Sequence, residues 1–368
     1  MQNIDDISDD ELFDDEELDF SASKDENSND GELREHYRLT VDAGQTSLRV
    51  DKFLFNKISG ISRNKIQDAA QAGCIFVDNI AVKSSYKVKP GNEVVVKLPY
   101  EHHDFKIEPE NIPLDIVYED DDLIVVNKPA GIVVHPAHGN YTGTLVNALA
   151  YYLGQNCSFD KDDIRPGLVH RIDKNTSGLL VIAKNEFSKA HLAKQFFDHT
   201  VNRRYQALVW GDFKEACGTV EGNIGRNPKD RKSMFVFADG SNGKPAVTHW
   251  KVLERFGYVT LIECKLETGR THQIRVHMKF ITRPLFNDEV YGGNKLLRGT
   301  TFAKYRKFVD NCFETMPRQA LHAKTLEFIH PKTGKLMSFN SELPDDFKTV
   351  LAKWRAYSTA VQSVDNDI

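Results

Sequence analysis

The spacing of apolar and polar positions changes repeatedly along the chain, and each change marks an element. Ser47 precedes a stretch in which Val50, Phe53, Leu54, Lys57 and Ile58 follow helical spacing. Ser62 is placed to cap a second helix over residues 63–72, with Ile66, Ala69 and Ala70 on one face and Gly73 at its end. Residues 75–77 and 80–82 flank the Asp78-Asn79 pair as a hairpin, and Pro90-Gly91 turns the chain into a strand over 93–98. Residues 99–112 hold Pro99 and Pro109, show no period and read as a linker. A hairpin over 114–118 and 123–126 follows, then the apolar run 179–183, which has the pattern of a strand buried on both faces.

Further on, Phe187, Ala190, His191, Lys194 and Phe197 recur at three- and four-residue steps and predict an amphipathic helix with basic residues interspersed. Two-residue alternation places Tyr205, Ala207 and Val209 on one side of a strand that ends at Gly211. Residues 259–266 form another strand. Strands outnumber helices after residue 110 and do not alternate with them. The expected class is α+β, with a mixed, mainly antiparallel sheet and peripheral helices. The organisation reads as an acidic tail (1–35), a small module (46–98), a linker (99–112), a large domain (113–350) and a polar C-terminal tail (351–368).

Charge sharpens this division. Residues 1–35 carry fifteen Asp or Glu against Lys24 and Arg34, a net of −13, while the whole chain carries −5, so residues 36–368 carry +8. The tail has too much like charge to fold alone, and the basic remainder favours a phosphate-rich partner. No apolar run approaches the roughly 18 residues of a membrane span, and no secretory signal pattern opens the sequence, so a cytoplasmic location is expected. Cys74, Cys157, Cys217, Cys264 and Cys312 are scattered without a C-x-x-C pair, which suggests neither a disulfide framework nor a zinc site.

The candidate chemistry centres on residues 165–184, R-P-G-L-V-H-R-I-D-K-N-T-S-G-L-L-V-I-A-K. Asp173 is its carboxylate, in a loop whose Asn175, Thr176 and Ser177 can hold one shape through bonds to nearby backbone. Turn chemistry alone would account for such an Asp. The run from His170 to Lys184, however, resembles the catalytic signature of the RluA-type pseudouridine synthases, with Ile172 and Asn175 where that family usually has Leu and often Asp. Further stretches resemble the same family: D-D-L-I-V-V-N-K-P-A-G-I-V-V-H-P before the loop, R-x-Y-x-A-L-V-x-G around Tyr205, L-E-T-G-R-T-H-Q-I-R-V-H-M after residue 265, and Q-A-L-H-A-K-T-L-E-F-I-H-P near the end, which looks like the closing strand pair of that domain with Leu321 and residues 326–329 in the core. Residues 46–98 are similar to the S4 RNA-binding domain.

These resemblances imply a cofactor-free isomerase that converts uridine to pseudouridine in RNA, with large-subunit ribosomal RNA the expected substrate and a monomer the expected state. They imply Asp173 as the essential carboxylate, Tyr205 as the ring that stacks on the target base, and Arg275 as the guanidinium beside the carboxylate. Arg171 would fill the gap left by a flipped nucleotide, and His170 would support the loop. Arg270 reads as structural or RNA-facing. In the S4-like module, Arg49, Lys52, Arg63 and Lys65, with Lys83 nearby, would meet RNA backbone, a contact that positions without reading sequence. His135 and His138 lack a third ligand at useful spacing, so no metal is expected. The competing readings are an inactive RNA-binding or ribosome-assembly factor and the same reaction on transfer RNA. A zinc or serine hydrolase lacks its motifs.

Overall fold

The computed structural model describes residues 33–58, 63–98, 107–136, 140–154, 167–230 and 233–366. The expected N-cap Ser62, His138, Cys157, Arg165, most of the acidic tail and much of the linker lie outside them, and the side chain of Lys65 is likewise not described. The chain divides into a smaller unit formed mainly by residues 15–107 and a larger one formed mainly by 108–135 and 142–368.

In the smaller unit, β1 (Arg34–Thr40) and β2 (Leu48–Arg49) precede α1 (Val50–Lys57) and α2 (Arg63–Gln71), and β3 (Ile75–Val77), β4 (Ile80–Ala81), β5 (Lys87–Val88) and β6 (Glu93–Leu98) follow. The order of its main sheet is β1-β6-β3-β4. Asp78 and Asn79 both take the left-handed conformation (φ 50° and 68°), as a two-residue hairpin turn requires. The apolar faces of both helices close over the sheet, with Val50, Phe53, Leu54, Ile66 and Ala69 buried against Ile75, Val94 and Val96. The unit starts earlier than position 46, because β1 pairs with β6 from Arg34↔Leu98 to Thr40↔Glu93. Thus residues 34 and 35, assigned by composition to the acidic tail, belong to a strand.

The larger unit contains β7 (Ile116–Glu119), β8 (Leu123–Lys128), α3 (Leu145–Leu153), β9 (Ser177–Ala183), α4 (Glu186–Phe197), β10 (Asn202–Trp210), β11 (Cys217–Arg226), β12 (Met234–Phe237), β13 (Lys244–Arg255), β14 (Val259–Leu266), α5 (Gln273–Phe280), α6 (Ala303–Thr315), β15 (Leu321–Ile329), β16 (Leu336–Asn340) and α7 (Asp345–Asn366). Its strands join in one sheet, β12-β11-β13-β14-β10-β15-β9-β8-β7, with β16 paired to β15. All pairings are antiparallel except β15 with β9, so the sheet is mixed and mainly antiparallel. Every residue of β9 is buried. Gly178 sits at φ +118°, and a Cβ there would run into the carbonyl of Ala323 on β15, which is the contact that requires glycine.

Two readings are corrected. Helix α4 buries Ser188, Leu192, Gln195 and Phe196, while Phe187 and Phe197, on the expected face, are exposed. Gln195 explains the rotation: its amide donates to the Ile329 carbonyl and accepts from the Ile329 N–H, each at 2.7 Å. It therefore completes the strand backbone as another residue of sheet would, while the side chain of Ile329 stays exposed. Residues 351–366 belong to α7 and are not a tail. Phe347, Val350, Leu351 and Trp354 are buried against Trp210, Phe286 and Val309, a spacing of three, four and seven that defines one helix face.

Candidate active site

The loop carrying Asp173 is clamped from two sides. On one, Lys128 is buried with its ammonium donating to the carbonyls of Pro129 (2.8 Å), Ile132 (2.9 Å) and Lys174 (3.1 Å). Gly131 N–H meets the same Lys174 carbonyl at 2.8 Å. This accounts for the N-K-P-A-G stretch: a cation on a strand end stitches its own loop to the residue after Asp173. Burial draws the Lys128 ammonium down to about 7, the Asp173 charge opposing and the Arg318 charge adding. On the other side, Arg318 donates to the Asn175 carbonyl at 3.2 Å while its fork holds Asp346. Ser177 Oγ and His322 Nδ1 lie 2.9 Å apart. Behind the loop, His170 accepts from Val181 N–H at 3.0 Å and stacks on Phe196 at 4.4 Å. Burial, with the Arg203 charge, lowers its pKa to about 3, so it is a neutral support.

Asp173 is about a quarter exposed, and its Oδ2 accepts from Arg275 Nη1 at 2.9 Å, with His272 Nε2 3.9 Å away. Arg275 projects from α5 and is buried. Its remaining edge is taken by Asp288, Nε to Oδ2 at 2.8 Å and Nη2 to Oδ1 at 3.0 Å. The Tyr291 ring lies 5.1 Å from the guanidinium. The Tyr291 hydroxyl accepts from Met234 N–H at 3.0 Å and meets His272 Nδ1 at 2.9 Å, and His272 itself is in the left-handed conformation (φ 54°). Burial by itself would raise the pKa of Asp173. The charges of His272 and Arg275, the Arg275 hydrogen bond and the charge of Arg171 outweigh it and hold the carboxyl below its ordinary range. The site therefore presents a fixed, ionised carboxylate.

A pocket at this point is lined by Asp173, Arg171, Thr176, Tyr205, His272 and Arg275, together with Arg203, Gly269 and Arg270. Tyr205 reaches it from β10 and is nearly fully buried, and burial raises its hydroxyl pKa. Arg270 donates through Nε to the Pro245 carbonyl at 3.2 Å. The structure thus brings Asp173, Tyr205, Arg275, Arg171 and Arg270 to one pocket. Sequence reasoning did not single out Lys128, Asp288, Tyr291, His272 or Arg203. Three of them lay within quoted stretches, Lys128 in N-K-P-A-G, Arg203 at the start of R-x-Y-x-A-L-V-x-G and His272 in T-G-R-T-H-Q-I-R, whereas Asp288 and Tyr291 carried no local signal.

In the smaller unit, Arg49 and Arg63 converge on Asp51, whose side chain is wholly buried. Arg49 Nη2 is 2.9 Å and Arg63 Nη2 3.0 Å from its Oδ2, and Gln67 donates to the same oxygen at 2.8 Å. Burial opposes ionisation, but Arg49, Gln67 and Arg63 prevail and bring the Asp51 pKa down to about 2. Both guanidiniums remain about two-fifths exposed, and Lys52 and Lys83 are exposed.

His135 is buried. The three potential ligands that do cluster among the described residues are Asp120, Asp122 and His330. The Asp120 oxygens already accept from the Asp122 and Leu123 N–H groups and the Tyr118 hydroxyl, and Oδ2 lies 2.7 Å from His330 Nε2.

This constellation stands in a chain whose residues 122–280 match the model of the RNA pseudouridylate synthase family and whose residues 48–94 match the S4 domain. It is 43% identical over 315 residues to the ribosomal large subunit pseudouridine synthase D of Zymomonas mobilis, covering 84% of this chain and 95% of that protein. It is 45% identical over 333 residues to an uncharacterized RNA pseudouridine synthase of Chlorobaculum parvum, covering 88% and 99%. Among solved structures, human RNA pseudouridylate synthase domain containing 1 aligns at 27% identity and a TM-score of 0.47, covering 67% of this chain and 87% of that one. The chain belongs to the RNA pseudouridylate synthase family, and it carries an S4 domain ahead of the synthase domain.

Proposed function

We propose that this protein isomerises specific uridines to pseudouridine in large-subunit ribosomal RNA, with Asp173 as the catalytic carboxylate. The observation that carries the reading is the Asp173 carboxylate held at 2.9 Å by Arg275 in a pocket that Tyr205 also lines. The reaction breaks the N-glycosidic bond, turns the uracil and joins its C5 to C1′. It calls for a carboxylate ready to attack or deprotonate the sugar and for a site that keeps water from the detached base. Arg275 keeps Asp173 charged and oriented, and Tyr205 offers a ring against which an extruded base can stack. Arg171 and Arg270, on the same pocket, suit the RNA strand around that base. Arg49, Lys52 and Arg63 suit backbone contact by the S4 domain, in addition to the tie of both arginines to Asp51.

Four relatives support ribosomal RNA as the substrate through their names, those of Zymomonas mobilis, Nitrosomonas europaea and two Neisseria meningitidis strains being ribosomal large subunit pseudouridine synthase D. The protein is expected to act as a cytoplasmic monomer. The test is tritium release from ribosomal and transfer RNA labelled at uracil C5, followed by pseudouridine mapping in RNA from a deletion strain. Release from ribosomal RNA and loss of defined large-subunit pseudouridines are expected. Binding without release from either RNA would overturn the enzymatic reading, and release from transfer RNA alone would overturn the substrate.

A further inference from the structure

Among the cations of the pocket, Arg203 stands apart. It is nine-tenths buried, yet among the described residues no carboxylate, carbonyl or hydroxyl holds its guanidinium, and its buried Nε has no hydrogen-bond partner. Its packing partner is a ring, Phe196, 5.1 Å from the guanidinium carbon, and that ring is stacked in turn on His170. A cation shut away from water without an anion is unfavourable, and natural chains keep few of them. Arg275 in the same pocket shows the usual solution, with two carboxylates around it.

The neighbouring backbone leaves space beside the terminal nitrogens of Arg203. A Cβ at Gly269 would lie 3.1 Å from its Nη1 and 3.3 Å from its Nη2, while Gly269 does not adopt the left-handed backbone that would by itself call for glycine. The missing side chain leaves room beside both terminal nitrogens. Arg203 also shares its face of β10 with Tyr205, two residues on, and both line the pocket of Asp173. Asp173 is already matched by Arg275, so it is not the counter-ion of Arg203.

We propose that Arg203 is an RNA-binding residue whose Nη1 and Nη2 take a backbone phosphate adjacent to the target uridine, the RNA supplying the anion that the protein does not. A guanidinium fork matches two phosphate oxygens at once. The Phe196 ring holds the fork in place before RNA arrives and Gly269 leaves its end open, so little ordering remains to be done on binding. The proposal rests on the reading of this pocket as the uridine site.

The test uses the full chain and a ribosomal RNA fragment containing one uridine found by mapping, with each flanking phosphate replaced in turn by an uncharged methylphosphonate. Dissociation constants and single-turnover rates are measured for wild type, Arg203→Gln and Arg203→Lys, with melting temperatures as the control for folding. Removing the guanidinium orphans no partner, so Arg203→Gln is expected to fold. It should weaken binding about ten-fold or more, and Arg203→Lys should recover part of that loss. One methylphosphonate should weaken the wild type by a similar factor and cost Arg203→Gln nothing further. Should Arg203→Gln melt early, the same comparison is made between wild type and Arg203→Lys across the methylphosphonate set.

Wild-type affinity in Arg203→Gln would overturn the proposal. So would a loss that adds to that of every methylphosphonate, or one confined to the single-turnover rate, which would place the guanidinium on the base. Because affinity is measured whether or not conversion occurs, a wild-type protein that binds but converts nothing would remove the catalytic reading and leave Arg203 judged on binding.

Discussion

Arg275 gives two of its donors to Asp288 and one to Asp173, so the buried carboxylate of Asp288 fixes the guanidinium that fixes the carboxylate of the pocket. The second acid is what makes the first geometry rigid. With its Nε edge locked and Tyr291 against its face, Arg275 can approach Asp173 only through Nη1.

Asp288→Asn keeps the shape but leaves the fork half-matched in a buried position. Breaking a buried pair costs about 3–5 kcal/mol when one partner is removed outright, and the amide should lose somewhat less. Single-turnover conversion is expected to fall at least ten-fold and the melting temperature to drop by several degrees, read by pseudouridine formation and calorimetry on the same preparation. Wild-type values in both would remove Asp288 from the site.

Asp173→Asn should abolish conversion while folding and RNA affinity persist. Arg275→Lys restores charge without the planar fork, so it should recover melting temperature better than turnover relative to Arg275→Ala. Conversion at the wild-type rate by Asp173→Asn would end its assignment as the catalytic carboxylate.

The pH dependence follows from the direction of the Asp173 shift. Its folded pKa is depressed, so the carboxylate persists from neutrality down through the ordinary carboxylate range, and its protonation should not limit the wild-type rate between about pH 5 and 8. In Arg275→Gln the raising effect of burial is no longer opposed by the Arg275 charge and hydrogen bond, and the charges of His272 and Arg171 remain. Protonation then moves to higher pH, and the rate should fall on the acid side. Single-turnover rates across pH for both proteins give the answer, and an acid limb unmoved by the substitution would show that Arg275 does not set the charge.

Gly178→Ala and Gly131→Ala separate two costs of a side chain at positive φ. Both positions are left-handed in sign, φ +118° and +92°, but an added Cβ meets the Ala323 backbone at Gly178 and open space at Gly131. Gly131→Ala should cost about 1 kcal/mol from strain alone, whereas Gly178→Ala should disrupt the β9–β15 pairing and yield little folded protein. Equal melting temperatures for the two would contradict the close approach.

Much of this architecture was legible in the residues. The apolar run at 179–183, the Asp78-Asn79 turn and the strand over 259–266 depend on local pattern, and local pattern marked them. Helix α4 was misjudged because Gln195, polar by any scale, is buried through two bonds to the backbone of a strand more than 130 positions away. The terminal helix was missed although Phe347, Val350, Leu351 and Trp354 carried the period, since the polar residues between them masked it. Asp288 had no signal at all. Its partnership with Arg275 arises where Asp288 N–H closes a turn on the Leu285 carbonyl and Leu285 bridges to Val209, a relation that no spacing along the chain expresses.

The place of β15 has a consequence for when activity can arise. This strand, the next to last, lies between β9 and β10, so a ribosome making this protein completes both flanks of the sheet before it supplies the piece that joins them. Contacts of such long sequence separation form late and slowly. Asp173 hangs from one flank and Tyr205 from the other, so they come to share a pocket only after residue 329 has been added. Until residue 329 has been made a nascent chain is therefore expected to be unable to modify RNA, so that synthesis itself times the onset of catalysis.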